Sequence, residues 1–130
     1  MTDRNKILIA DDEESMRTLP EIILNEHFPS FKTETFKDGS ALEARLKKGT
    51  EDVKAVITDH KMGRYGPTGG EIILKHARNP EYKDIRFILC YDGLDLLGKI
   101  AKTVGAFACI KKPFSEEDYI NVVGSALEGK

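Results

Sequence analysis

Short apolar runs alternate along the chain with longer segments whose apolar residues recur at helical spacing. The apolar runs predict five strands, and the segments that follow them predict five helices. The predicted strands are Lys6–Ala10, Thr33–Phe36, Val53–Thr58, Ile85–Cys90 and Phe107–Lys111. The predicted helices are Glu14–Glu26, Ser40–Lys48, Glu71–Ala77, Leu94–Val104 and a last one opened by Ser115. Strict alternation of this kind favours a parallel sheet covered by helices on both faces, which is an α/β fold.

Local signals mark several of the predicted helix boundaries. Pro20 lies inside the first helical pattern and should kink that helix or mark a late start. Gly49 follows the second helix as a stop signal, and Asn79-Pro80 terminates the third. Asp118 lies three residues after Ser115, which is the spacing of a capping box at the start of the last helix.

Length and charge narrow the class of protein. The chain has 130 residues, enough for one domain, and its net charge of −2 gives no reason to expect nucleic acid or an anionic membrane as a partner. No apolar run approaches the roughly 20 residues that span a bilayer. The start of the chain turns acidic where a signal peptide would need its cleavage site. A cytoplasmic location is therefore the default expectation.

The cysteines and histidines show no pattern of a metal site. Cys90 and Cys109 lie in apolar stretches without CxxC spacing, so we expect two reduced, buried residues rather than a disulfide or zinc ligands. His27, His60 and His76 are scattered, and surface or loop placement is expected for them.

Charged residues follow three of the predicted strands. Asp11 and Asp12 come after the first strand, Asp59 after the third and Lys112 after the fifth. Because function in such sheets gathers at the carboxyl ends of the strands, three carboxylates and one ammonium should converge at one edge. Taken singly, the aspartate pair could be a helix cap, Asp59 the start of a turn, and Lys112 a solvated strand end.

The converging charges favour phosphoryl transfer. Clustered carboxylates repel one another and raise each other's pKa unless a cation balances them, and Mg²⁺ prefers such oxygen ligands together with phosphate oxygens. Lys112 would then meet a phosphoryl group as a second cation, and an aspartate can act as the nucleophile and carry an acyl phosphate. The neighbouring stretch GRYGPTGG lacks GxxxxGK[ST] and GxGxxG, which favours a turn-rich connection into the third helix over a phosphate-binding loop.

The stretches KILIADDEESMR, VITDHKM and IKKPF resemble the receiver domain of two-component response regulators. The resemblance covers nearly the whole chain. It implies one receiver domain over residues 1–130, with a core at about 5–128 and no output domain in this chain. It also implies a flavodoxin-like, doubly wound sheet of five parallel strands in the order 2-1-3-4-5, with helices on both faces.

The resemblance also implies a site. Asp59 would accept a phosphoryl group from a histidine kinase or phosphotransfer protein, and Lys112 would contact the phosphoryl oxygens beside a cis bond to Pro113. Magnesium would be held by Asp11, Asp12, Asp59 and the main-chain carbonyl of Lys61. Signalling would follow from altered binding of a downstream protein or of an effector domain, without contact to nucleic acid or membrane by this domain. The only catalysis expected is the protein's own phosphoryl transfer and autodephosphorylation, and a homodimer is left open.

The chain departs from the family pattern at the positions that relay the signal. Counting back from Gly105 without a gap puts Cys90 where the family has threonine or serine as a contact to the phosphoryl group, and a one-residue gap puts Tyr91 there. Cys109 stands where the family has a switching aromatic residue. Lys61 lies at the mouth of the site and is expected to modulate hydrolysis of the acyl phosphate. We therefore expect a receiver that accepts phosphate and signals it by a non-standard route.

Three rival interpretations stay open at this point. A pseudo-receiver that works as a protein-interaction module without phosphorylation is favoured by Cys90 and Cys109 and opposed by the intact acidic residues. A small magnesium-dependent phosphatase would have a second acid where Lys61 stands. A flavin-binding protein would need a phosphate-binding loop after the first strand, and the acidic residues there disfavour it.

Overall fold

Five strands form one parallel sheet in the order β2-β1-β3-β4-β5 in the computed structural model of the protein, which describes residues 4–63, 66–92, 103 and 105–128. The strands are β1 (Lys6–Ala10), β2 (Lys32–Phe36), β3 (Val53–Asp59), β4 (Arg86–Tyr91) and β5 (Ala108–Lys111). The helices are α1 (Glu14–His27), α2 (Gly39–Lys48), α3 (Gly69–His76) and α4 (Glu116–Leu127), with a short 3₁₀ helix at Pro80–Tyr82.

The predicted architecture is confirmed, including the strand order. Each of the five strands begins and ends within one residue of its predicted boundary. The helix predicted over Leu94–Val104 falls, apart from Thr103, outside the described residues. Helix α1 begins at Glu14 and contains Pro20 as a buried residue, so the late start considered for this helix is wrong.

The alternation of side chains along the strands builds a core on each face of the sheet. Ile7, Ile9 and Ile88 point to one face and pack against α1 and α4 through residues such as Leu24 and Val123. The intervening strand residues point to the other face, towards α2 and α3. That second cluster contains Leu8, Val56, Leu89, Leu42, Leu46, Ile72 and Ile73. The two layers of helices cover the faces of the sheet and leave the carboxyl ends of its strands at one edge.

Two expectations for single residues need correction. His76 is buried because its Nε2 lies 3.2 Å from Glu43 Oε2 and its ring packs edge-on against Tyr82, which satisfies both its polar and its apolar parts. Cys109 is partly exposed, whereas Cys90 is buried as predicted, and both are free thiols. Strand register places Leu89 beside Cys109 and Cys90 beside Ile110, so the two thiols lie on opposite faces of the sheet. Among the described helices, none has the length and apolar character needed to cross a membrane.

Candidate functional site

All three aspartates and Lys112 meet at the carboxyl edge of the sheet. Asp11 directly follows β1, Asp59 is the last residue of β3, and Lys112 directly follows β5. Lys112 Nζ lies 2.7 Å from Asp11 Oδ2 and 3.2 Å from Asp59 Oδ1. The lysine therefore bridges two carboxylates, and the edge of the sheet holds a compact cluster of opposite charges.

Main-chain groups fix the two aspartates after β1. The amide of Glu13 donates to Asp11 Oδ1 at 3.0 Å, and the amide of Gly63 donates to Asp12 Oδ2 at 3.1 Å. Arg17 donates to the main-chain oxygen of Asp11 at 2.8 Å. The N-cap of α1 is Glu13, and its side chain makes no capping bond. Neither aspartate is therefore the N-cap of this helix, and the capping interpretation of the pair is wrong.

The charges in the cluster shift one another's protonation. Burial, and next the negative charge of Asp11, raise the pKa of Asp59 to about 6, although Lys112 pulls it in the opposite direction. Burial alone would lower the pKa of Lys112, but its hydrogen bond to Asp11 and the charge of Asp59 outweigh burial, so the net shift is upward. One ammonium thus neutralises the carboxylates only in part, and a further cation at this edge would be favoured.

The aspartates form a donor set that suits a hard dication. Asp11, Asp12 and Asp59 each offer a carboxylate oxygen, and these atoms lie within 4.8 Å of one another. All are oxygen donors, as Mg²⁺ requires, and Asp11 is only 4% exposed. Lys61 lines the same open depression of about 280 Å³ as Asp12, Asp59 and Lys112. The residues present therefore fit magnesium, and Lys61 lies beside them.

Cys90 and Tyr91 lie on different sides of Asp59. Cys90 pairs with Asp59 in the register of β3 and β4, and its carbonyl accepts from the amide of His60 at 3.0 Å. It lines a small cavity beneath the cluster together with Asp59 and Lys112, and burial raises the pKa of its thiol to about 12. Tyr91 lines the open depression instead. The structure thus brings both candidate contacts to the site.

Cys109 is not brought to the site. It packs against the core cluster on the opposite face of the sheet from Cys90 and lines neither the depression nor the cavity beside Asp59. Cys109 pairs with Leu89 in the register of β4 and β5, and both side chains lie on the face of the sheet opposite Cys90. Any role of Cys109 therefore has to act at a distance from the carboxylates.

The glycine-rich segment after β3 leads into helix α3, as predicted. Thr68 caps α3 through a reciprocal capping box with Glu71. A Cβ at Gly69 would lie 2.1 Å from the carbonyl oxygen of Asp59, so only glycine permits this approach of the helix to the end of β3. The close approach of Gly69 therefore fixes the start of α3 against the end of β3 that carries Asp59.

Two aromatic residues beside the site were not singled out from the sequence. Phe114 and Tyr119 line the small cavity with Asp59 and stack on each other, with ring centroids 4.9 Å apart. Tyr119 occupies an apolar position of α4, in helical spacing with Val123 and Ala126, where a purely apolar residue is the ordinary choice. A hydroxyl on the buried face of a helix is the signal that could have drawn attention to it.

Comparisons with known proteins agree on one family. The family model described as "Response regulator receiver domain" matches residues 7–124. No curated protein matches the chain.

Solved structures share the fold over nearly the full length. A response regulator receiver domain protein from Clostridium thermocellum is 22% identical with a TM-score of 0.81, covering 95% of this chain and 94% of that chain. The chemotaxis response regulator CheY4 of Vibrio cholerae is 24% identical with a TM-score of 0.78, covering 95% and 98%. The beryllofluoride-activated NtrC4 receiver domain dimer is 25% identical with a TM-score of 0.79, covering 95% and 96%.

Proposed function

The chain belongs to the response regulator receiver domain family, and from that premise we propose that it is a phosphoacceptor whose Asp59 takes a phosphoryl group from a histidine kinase or phosphotransfer protein. One observation carries the proposal. Three carboxylates and the ammonium of Lys112 meet at the carboxyl edge of the sheet, where a reacting phosphoryl group needs a nucleophile and positive charge.

In the proposed reaction Asp59 is the nucleophile. A carboxylate oxygen of Asp59 attacks the phosphorus of a phosphohistidine, so that an O–P bond forms and the P–N bond breaks with its electron pair left on the imidazole. Lys112, 3.2 Å from Asp59, is placed to neutralise the charge on the phosphoryl oxygens. Asp11 holds that ammonium at 2.7 Å and so positions it before the phosphoryl group arrives.

Asp11, Asp12 and Asp59, with the carbonyl of Lys61, are the groups that would hold Mg²⁺. When bound, the ion supplies positive charge that offsets the carboxylates and the transferring phosphoryl group. The side chain of Asp12 accepts a hydrogen bond from the amide of Gly63. Because Asp12 is exposed, its carboxylate can turn towards an ion without unfolding the core.

The proposed output is a change in the affinity for a protein partner. Cys90 stands beside Asp59 and offers a thiol, which is a weaker hydrogen-bond donor than a hydroxyl. The coupling through β4 is therefore expected to be softer than a threonine or serine would give. The NtrC4 relative forms a dimer in its beryllofluoride-activated state, and self-association after phosphorylation is one form that the output can take here.

The direct test is phosphorylation by acetyl phosphate with and without magnesium. Intact mass spectrometry should show one added phosphoryl group that hydroxylamine removes, in the wild type but not in Asp59→Asn. Asp12→Asn is the matched control. It keeps Asp59 as the nucleophile and changes only one of the proposed magnesium ligands. No added phosphoryl group on the wild type would refute the proposal and favour a phosphorylation-independent interaction module. Turnover of a generic phosphate ester is not expected.

A further inference from the structure

The hydroxyl of Tyr119 has no hydrogen-bond partner among the residues that the structure describes. Tyr119 is 1% exposed, and within the described part of the chain its Oη is the single buried side-chain nitrogen or oxygen left unpaired. A buried hydroxyl without a partner loses its bonds to water and gains nothing in return. Phenylalanine would fill the same space without that penalty, so the presence of the hydroxyl calls for a physical reason.

The cavity beside this hydroxyl leads to the proposed phosphorylation site. Tyr119 lines it from the helix side, and Asp11, Asp59, Cys90 and Lys112 line it from the sheet side. Its volume of about 10 Å³ leaves room for a small movement of the side chains that line it. Burial raises the pKa of Tyr119, and the neighbouring Cys90 and the negative charge of Asp11 add to that effect.

The ring of Tyr119 is tied to elements that would respond to a change at Asp59. It stacks on Phe114, two residues after Lys112 in sequence, and it belongs to the first turn of α4, which is capped by Ser115. A phosphoryl group on Asp59 would compete with Asp11 for the ammonium of Lys112, because both are anions within its reach. Asp11 would then lose the hydrogen bond from Lys112. The unpaired hydroxyl of Tyr119, which lines the same cavity, is a donor that can replace it.

We propose that Tyr119 reports the phosphorylation state of Asp59 to helix α4: its hydroxyl, unpaired in the unmodified protein, donates a hydrogen bond to the acidic wall of the cavity once Asp59 carries a phosphoryl group. Tyr119 is in this sense a positioning residue, since it touches neither the nucleophile nor the phosphoryl donor. The inference rests on the proposed function, because it needs Asp59 to be the phosphoacceptor.

The hydroxyl then shifts the balance between two states of the protein. It destabilises the unmodified state, where it is unpaired, and stabilises the phosphorylated state, where it is paired. Removing it should weaken the binding of a phosphoryl mimic roughly tenfold, the effect of about one hydrogen bond. The fold itself should be unharmed, because the ring and its stacking on Phe114 stay in place.

The test compares wild type, Tyr119→Phe and the control Tyr82→Phe. Tyr82 is also buried, but it packs in the core cluster on the other face of the sheet and does not line the cavity. Each protein is titrated with beryllofluoride in the presence of magnesium, and its unfolding by denaturant is followed without either ligand. We expect Tyr119→Phe to be at least as stable as wild type, with beryllofluoride affinity about tenfold weaker, whereas Tyr82→Phe keeps the wild-type affinity.

A second measurement needs no variant. In the wild type, the nuclear magnetic resonance signal of the Tyr119 ring ζ-carbon, which bears the hydroxyl, should shift when beryllofluoride binds. Equal beryllofluoride affinity in Tyr119→Phe and wild type, or an unmoved Tyr119 signal on binding, overturns the inference and leaves the proposed function standing. A wild type that binds no beryllofluoride and accepts no phosphoryl group from acetyl phosphate overturns both.

Discussion

Replacing Asp59 by asparagine should stabilise the metal-free protein at neutral pH. Burial and the charge of Asp11 raise the pKa of Asp59 from 3.8 to about 6, a difference of about two units, and each unit is worth about 1.4 kcal/mol. Holding the carboxylate ionised in the native state therefore costs up to about 3 kcal/mol. Because Asp59 also faces the open depression, solvent screening reduces our expectation to about 1–2 kcal/mol.

The pH dependence follows from the direction of the shift. Between 3.8 and about 6 the native protein binds more protons at Asp59 than the unfolded chain does, so its stability falls as pH rises through this window. Asparagine resembles the protonated acid and does not titrate. The advantage of Asp59→Asn should therefore be absent below the lower pKa, grow across the window and stay constant above the higher one.

Denaturant unfolding in a chelating buffer, repeated at several pH values, measures this difference directly. Asp12→Asn is the control, since Asp12 is exposed and its charge is largely solvated, so a small change is expected. Adding magnesium should stabilise the wild type more than Asp59→Asn and so narrow the gap. An Asp59→Asn protein that is less stable than wild type at neutral pH, or a gain that does not change with pH, would refute the electrostatic reasoning.

Three further changes test contacts that hold the fold together, two of them near the site and one away from it. Gly69→Ala should destabilise the protein by about 2 kcal/mol or more, because the new Cβ meets the Asp59 carbonyl at 2.1 Å. Gly70→Ala should cost less in the same thermal melt, because its Cβ would meet side-chain atoms, those of the His60 ring at 3.0 Å and Thr68 Oγ1 at 3.9 Å, and no main-chain atom is among these contacts. Ser115→Ala should cost about 1 kcal/mol in denaturant unfolding through loss of the bond from the Asp118 amide; no loss would show that the cap contributes little. The hydrogen bond from Arg45 lowers the pKa of Glu34 below its ordinary value of 4.5, so ionised Glu34 stabilises the native protein above that pH and this stabilisation is lost as pH falls through the lowered native pKa. Glu34→Gln should remove this stabilisation. Identical acid unfolding of the two proteins would contradict this.

The edge where the charges meet could be predicted from the sequence because it depends on chain order alone. Parallel strands bring their carboxyl ends to one edge, so residues that follow strands one, three and five become neighbours. The short apolar runs located these strands to within one residue, and Asp11, Asp59 and Lys112 needed no other information.

Other features could not be predicted because they depend on contacts between distant segments. His76 is buried only because Glu43 and Tyr82 come to it from other elements. The need for glycine at position 69 arises from the path of β3, which brings the Asp59 carbonyl against the start of α3. The unpaired hydroxyl of Tyr119 is a property of the packed interior, and no spacing in the sequence shows whether a tyrosine finds a partner.

The position of the two cysteines bears on how phosphorylation can be relayed. Cys90 and Cys109 lie on opposite faces of the sheet, so a relay through both thiols would have to cross it. Cys90 and Tyr119 share one face and one cavity with Asp59. A signal that starts at Asp59 can therefore reach α4 through Tyr119 without crossing the sheet. If Tyr119 relays phosphorylation to α4 as proposed, signalling does not require an aromatic ring at position 109.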